Sequence, residues 1–340
     1  MKSDFKIQAV QTAFHVLFAL ILLYGESGCS HAQENKGKTV EKQVKREFTL
    51  PEIPQSLTDP EERSGYLVAH FWDHFDFTDT TLISKPEITE QALADFLNIL
   101  PYTSSDNSRK ALSSLMESAS SDSLVFIHFM ELAEKYLYDP NSPLRNEEYY
   151  ISILNYIVSS GLDETLKIRP RYQLEKALKN RPGDIATDFL YTLSDGKASK
   201  MSSVKADYTI LFFNNPDCSD CKRVKDYTKN SGVFNRMTRT NTKPVLRILA
   251  IYPDADLSLW KHADYPSIMI NGYDAGQTII TGELYDLKAS PTLYLLDKDK
   301  RVILKDATVE EIEKWLGQLL DNYNKPAISQ GNMARSVGEK

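Results

Sequence analysis

The chain has 340 residues, of which 41% are hydrophobic, and a formal net charge of −7 from 40 basic and 47 acidic side chains. That length is too great for one ordinary domain, and the apolar content is enough to build real cores, so two globular domains are expected. The acidic balance, with no basic block beyond scattered lysines near the start, sets nucleic acid aside as a partner.

Lys2 and Lys6 precede an apolar stretch from Ala13 to Tyr24, which runs into Gly25-Glu26-Ser27-Gly28-Cys29. A charged start, a short apolar core and small residues at the end make a signal peptide over residues 1–28. The core of about twelve residues falls short of the roughly twenty that a bilayer-spanning helix needs. Ser27-Gly28-Cys29 resembles the end of a bacterial lipoprotein signal. That resemblance implies lipidation at Cys29, a membrane anchor and a place in the bacterial cell envelope facing the periplasm. Glu26 stands where such signals carry an aliphatic residue, and Ser30-His31-Ala32 is an alternative small-x-small site for plain secretion. Residues 29–50 are polar and charged, including Lys36, Lys38, Glu41, Lys42, Lys45 and Arg46, and read as a tether. About twenty flexible residues reach roughly 25 Å.

Residues 51–182 show apolar side chains recurring at three and four, which predicts an all-α helical domain. Thr58-Asp59-Pro60 starts a first helix with the stripe Tyr66, Leu67, His70, Phe71 and Phe75. Ile88 to Leu100, Leu112 to Ala119 and Val125 to Leu137 carry three more stripes. Tyr149 to Val158 forms a fifth that stops at Gly161, and a short sixth helix is expected after Pro170. His70 and His74 lie four apart with Asp73 and Asp76 near, a spacing that could hold a metal, but His70 falls on the apolar stripe and a third ligand is missing, so no metal is assigned. Phe71, Trp72, Phe75 and Phe77 read as core rather than a cofactor box.

At Arg181-Pro182-Gly183-Asp184 the pattern changes to short apolar runs with turns, and a second, α/β domain is expected over residues 183–322. Tyr208 to Phe213, Val245 to Ile251, Ser267 to Ile270 and Leu293 to Leu296 read as strands, with Arg301 to Leu304 as a hairpin partner. Thr308-x-x-Glu311 is a capping box for a final helix with Ile312, Trp315, Leu316 and Leu319 facing inward. Residues 323–340 read as a disordered tail.

The chemistry concentrates in Cys218-Ser219-Asp220-Cys221, in the turn between the Tyr208–Phe213 strand and a helix begun by Lys222, Arg223 and Val224. A cysteine at a helix start meets unpaired backbone N–H groups and the positive end of the helix dipole, which favour thiolate. A second cysteine three positions on returns to the same side of the first turn, close enough to close a disulfide. Half a zinc site has the same spacing, but His262 is the one histidine in the last two hundred residues and no further cysteine lies near. With Cys29 lipidated or removed, the mature chain holds this pair alone, a working dithiol and no structural framework.

Three separated motifs resemble the thioredoxin fold, specifically the thiol:disulfide oxidoreductases of the TlpA/ResA type. They are Gly183-Asp-Ile-Ala-Thr-Asp-Phe189 with Asp195-Gly196, Tyr208 to Cys221, and Tyr285 to Asp297 with Ser290-Pro291-Thr292. The resemblance implies that Cys218 attacks a substrate disulfide and Cys221 resolves the mixed disulfide. It implies that Ser290, a cis Pro291 and Thr292 present backbone to the substrate chain. No cofactor is implied. The partners it implies are disulfide-containing envelope proteins and an upstream thiol electron donor. The helical region looks like the domain of unknown function that precedes such domains in some envelope lipoproteins. Asp217 stands where relatives carry tryptophan, and Ser-Asp separates the cysteines in place of a dipeptide with proline. Asp217 and Asp220 oppose the helix start's preference for thiolate, so the pair is expected to act as a reductant. A peroxiredoxin-type thiol peroxidase and a redox-silent binding lipoprotein on the same fold are the alternatives.

Overall fold

The computed structural model describes residues 48–239 and 244–324. The signal-like segment, Cys29, nearly all of the tether and all but the start of the tail lie outside them.

Helices build the first half: α1 (Pro60–His70), α2 (Thr89–Ile99), α3 (Ser105–Ala119), α4 (Ser123–Ala133), α5 (Glu147–Ser159) and α6 (Glu164–Ala177). Short polar side chains cap them. Asp59 accepts from the Glu61 and Glu62 N–H groups ahead of Pro60, and Asp122 takes the Leu124 and Val125 N–H groups of α4. α1 is shorter than its stripe implies. Helix ends at His70, and Phe71, Trp72, Phe75 and Phe77 enter the core from the turns that follow. Trp72 meets Phe129 edge-on at 5.5 Å and Phe71 lies 5.1 Å from Phe96, so aromatic packing takes over where helical hydrogen bonding stops. His70 Nδ1 lies 2.8 Å from Asp73, and His74 is exposed. Among the described residues no group of three or more His, Cys, Asp or Glu side chains is placed to hold a metal ion.

Pro170 does not precede the sixth helix but sits inside it. Proline removes one backbone hydrogen bond and crowds the preceding turn. What offsets that cost is tertiary. Lys167, Pro170, Gln173, Lys176 and Ala177 are buried, and the Tyr150 hydroxyl of α5 donates to Gln173 Oε1 at 2.9 Å.

The second half is a mixed sheet of β1 (Leu190–Leu193), β2 (Ala198–Lys200), β3 (Tyr208–Phe213), β4 (Leu246–Tyr252), β5 (Met269–Tyr273), β6 (Thr292–Leu296) and β7 (Val302–Lys305), in the order β2-β1-β5-β4-β3-β6-β7. β3 sits inside, parallel to β4 and antiparallel to β6, with Phe213 opposite Ile251 and Thr292. Its continuous apolar run suits a strand covered on both faces. Ile210 and Phe212 point to a core shared with α7 (Ser219–Asn230), α8 (Gly232–Thr238) and α11 (Val309–Asn324), the short α9 (Leu257–His262) and α10 (Thr278–Thr281) coming between them in the chain. Leu211 and Phe213 point to the other, with Phe189, Tyr285 and Tyr294. β1 and β2 were not legible in the sequence. They form a hairpin across Asp195-Gly196, where Gly196 has φ +83°, and neither Leu-Tyr-Thr-Leu nor Ala-Ser-Lys alternates enough to signal a strand. The capping box of α11 closes both ways: Thr308 N–H donates to Glu311 Oε2 at 2.8 Å and Glu311 N–H to Thr308 Oγ1 at 3.2 Å. Helices and sheet together belong to one compact unit. Among the described residues no helix is long and apolar enough to cross a membrane.

Candidate functional site

β3 delivers the chain to the site through Asn214, whose buried amide donates to the Phe212 and Ile251 carbonyls at 3.2 and 3.1 Å. Asn215-Pro216-Asp217 then turns the chain. Asp217 N–H donates to Asn215 Oδ1 at 3.0 Å and Cys218 N–H to the Asn215 carbonyl at 3.1 Å. Cys218 therefore becomes the N-cap of α7, with extended backbone, and its sulfur accepts from Cys221 N–H at 3.3 Å. A sulfur in the capping position receives one of the helix's orphan donors, which is the electrostatic setting a thiolate needs.

The two cysteines are free and unlike. Cys218 is half-buried, while Cys221 is fully enclosed among Ile210, Phe212 and Val224. Burial, reinforced by the hydrogen bond with Cys218, pushes the Cys221 thiol up to about 12; the Asn215 N–H, 3.5 Å from its sulfur, and Lys225 act the other way. Cys221 is thus held protonated while Cys218 faces solvent, a division of labour that fits one attacking and one resolving sulfur.

The third motif comes to the same place. Cys218 Sγ donates to the Ser290 carbonyl at 3.3 Å, across 72 positions of sequence, and the Ser290–Pro291 bond is cis. Thr292 starts β6 and turns inward. Its hydroxyl donates to the Ala289 carbonyl at 2.7 Å and stiffens the turn, leaving Ser290 and Pro291 beside the sulfur. Asp217 and Asp220 are exposed. Cys29 lies outside the described residues.

Three residues at the site carried no signal that the sequence reading used. Lys225, one turn after Cys221 on the same face of α7, is buried; its ammonium donates to the Asp264 carbonyl at 3.3 Å and lies 4.7 Å over the Tyr265 ring. Tyr265 donates to Asn214 Oδ1 at 2.8 Å, and burial pushes its phenol up. The four-residue spacing from Cys221 to Lys225 was available in the sequence. Tyr265 and Asn214 gave none. Beside them Asp217, Lys225, Lys229, His262 and Tyr265 line a cavity of about 670 Å³ that opens to solvent behind the cysteine turn.

The helical half matches a family described as a domain of unknown function, DUF5106, over residues 28–180. A thioredoxin-like protein from Bacteroides caccae is 44% identical, with a TM-score of 0.78 over 80% of this chain and 99% of that one. The C-terminal domain of an uncharacterised protein from Bacteroides fragilis is 44% identical over 41% of this chain and 98% of that one, with a TM-score of 0.39. No curated protein matches the chain. The Bacteroides caccae relative spans both the helical region and the mixed sheet at an identity that leaves no doubt of common descent, and the chain belongs to its thioredoxin-like family.

Proposed function

We propose that this chain is a thiol:disulfide oxidoreductase of the bacterial cell envelope, lipid-anchored through Cys29, that reduces disulfides in envelope proteins. The observation that carries the reading is the asymmetry of the pair: a half-exposed Cys218 at the start of α7 against the Ser290 carbonyl, and a fully buried Cys221 behind it. Cys218 as thiolate attacks one sulfur of the substrate disulfide, and the other sulfur leaves as a thiolate that takes a proton from water. Cys221 then gives its proton to solvent and attacks Cys218, forming the Cys218–Cys221 disulfide and releasing the second substrate thiolate. Two electrons pass to the substrate, and an upstream thiol donor returns them. Support for the reducing direction comes from Asp217 and Asp220, exposed negative charges beside the thiolate that a strong oxidant must stabilise.

Dithionitrobenzoate tests the pair directly. The reduced protein is expected to release one thionitrobenzoate as Cys218 attacks and a second as Cys221 resolves, and to reduce insulin with a thiol donor. A single release, with insulin untouched, would favour the redox-silent binder; faster thiol loss to hydrogen peroxide than to insulin would favour the peroxidase. For the anchor, labelled lipid is expected on the wild type and absent from Cys29→Ala, and a mature N-terminus at Gln33 would replace anchoring by secretion.

The same assay isolates Lys225. Lys225→Met keeps the stem over Tyr265 and removes the charge that lowers the Cys221 thiol. The second release is expected to slow several-fold at neutral pH, because less of Cys221 is ionised, while the first is unchanged. Equal slowing of both phases would mean that Lys225 only supports the fold.

A further inference from the structure

The stretch from Glu283 to Ala289 leads into the Ser290–Pro291 turn, and the helical region grips it at several points. Lys176, at the end of α6, lies 2.6 Å from Glu283 Oε1; Lys179 donates to the Glu283 carbonyl at 2.9 Å and Asn180 to the Leu284 carbonyl at 2.8 Å. Further along, the Lys288 ammonium, on a side chain 10% exposed, meets Glu147 Oε1 of α5 at 2.9 Å and lies 4.2 Å over the Tyr138 ring, with Asp286 Oδ2 at 3.4 Å and Asp306 Oδ2 at 3.9 Å. The other oxygen of Glu147 holds Lys305 of β7 at 2.6 Å. Two residues beyond Lys288, the Ser290 carbonyl accepts from Cys218 Sγ.

We propose that the helical region is a brace for the substrate-facing turn, and that Glu147 and Lys288 are positioning residues which hold the Ser290 carbonyl against Cys218. From Thr292 the chain is fixed by the pairing of β6 with β3, so a clamp on Lys288 leaves the turn between them little freedom. A buried ion pair contributes little net stability over an apolar pair of the same size, because desolvation offsets its attraction. What it supplies is direction: Glu147 and the Tyr138 face draw Lys288 toward the helical half, while Asp286 and Asp306 hold its other side. The helical half thereby acts on the thiol chemistry with none of its residues at the sulfur. Its peptide-binding consequence rests on the reading of the pair as a disulfide reductase.

The test uses the full chain and compares Lys288→Met, Lys288→Arg and Glu147→Gln with wild type. With the brace loosened, Ser290 no longer covers the sulfur, so the first thionitrobenzoate release is expected to quicken by about threefold or more. The KM for insulin is expected to rise about tenfold with kcat within about twofold, because the turn that receives the peptide is no longer set. Partial unfolding would also free the sulfur, but it would lower kcat and expose Cys221 with it, so a kcat within about twofold of wild type marks the brace, and Lys288→Arg should restore both readouts. Glu283→Gln loosens the same stretch from a half-exposed position and should shift both readouts the same way by less, which decides the matter if the buried variants fold poorly. First-release rates and KM within about twofold of wild type in folded variants, or both activities falling together, would overturn the brace. The first release needs the Cys218 thiol alone, so it decides the brace even if the wild type proves unable to reduce insulin.

Discussion

In Cys221→Ala, insulin reduction is expected to fall by about a thousandfold or more, while the first thionitrobenzoate release proceeds at the wild-type rate and the second disappears. The separation follows from burial. Cys221 is fully enclosed and its thiol is pushed up to about 12, so it contributes little to the first attack, which belongs to Cys218 at the start of α7. Without a resolving sulfur the mixed disulfide on Cys218 persists. Proteins trapped on Cys221→Ala and identified by mass spectrometry would name the substrates, and Cys218→Ala is the control that should trap none. Turnover retained in Cys221→Ala would show that an external thiol resolves the mixed disulfide and that the buried sulfur is dispensable.

Lys305→Met is expected to lower stability by about 3 kcal/mol or more, because it takes a donor from two enclosed carbonyls and leaves Glu147 with Lys288 as its remaining cation. The Lys305 side chain is 5% exposed, and its ammonium meets Glu147 Oε2 at 2.6 Å and donates to the Ala177 and Lys179 carbonyls at 2.8 and 2.6 Å. The substitution leaves a buried carboxylate short of a cation and two carbonyls at the end of α6 without their donor. Thermal unfolding should shift down by roughly 10 °C, taking about 2–4 °C for each kcal/mol in a chain of this size. A double-mutant cycle with Glu147→Gln reads the coupling between the two side chains. A shift of less than about 3 °C in the single variant would mean that water reaches the pair and the interface between helices and sheet is wetter than its burial implies.

The residues whose structure follows from their neighbours in the chain were legible beforehand. Asp59 and Thr308-x-x-Glu311 start helices because a side-chain oxygen three or fewer residues away satisfies an orphan N–H, and both caps form as written. Tyr208 to Phe213 is a strand because six β-branched, aromatic or aliphatic residues between turns can be buried on both faces, and the cysteine turn follows at once. Where helix or strand depended on what covers it, the sequence was silent or misleading. Pro170 runs inside a helix because α5 packs on its buried face, β1 and β2 exist because β5 offers an edge, and α1 stops at His70 because aromatic rings take its place. The site divides the same way. The presence and spacing of Cys218 and Cys221 are local facts. Which sulfur is exposed, that Ser290 reaches it from 72 positions away, and that Glu147 holds Lys288 across 141 positions, were decided by the fold alone. Backbone preference and capping act over three or four residues and leave a pattern in the chain, whereas burial and ion pairing act between surfaces that meet only once the sheet has closed.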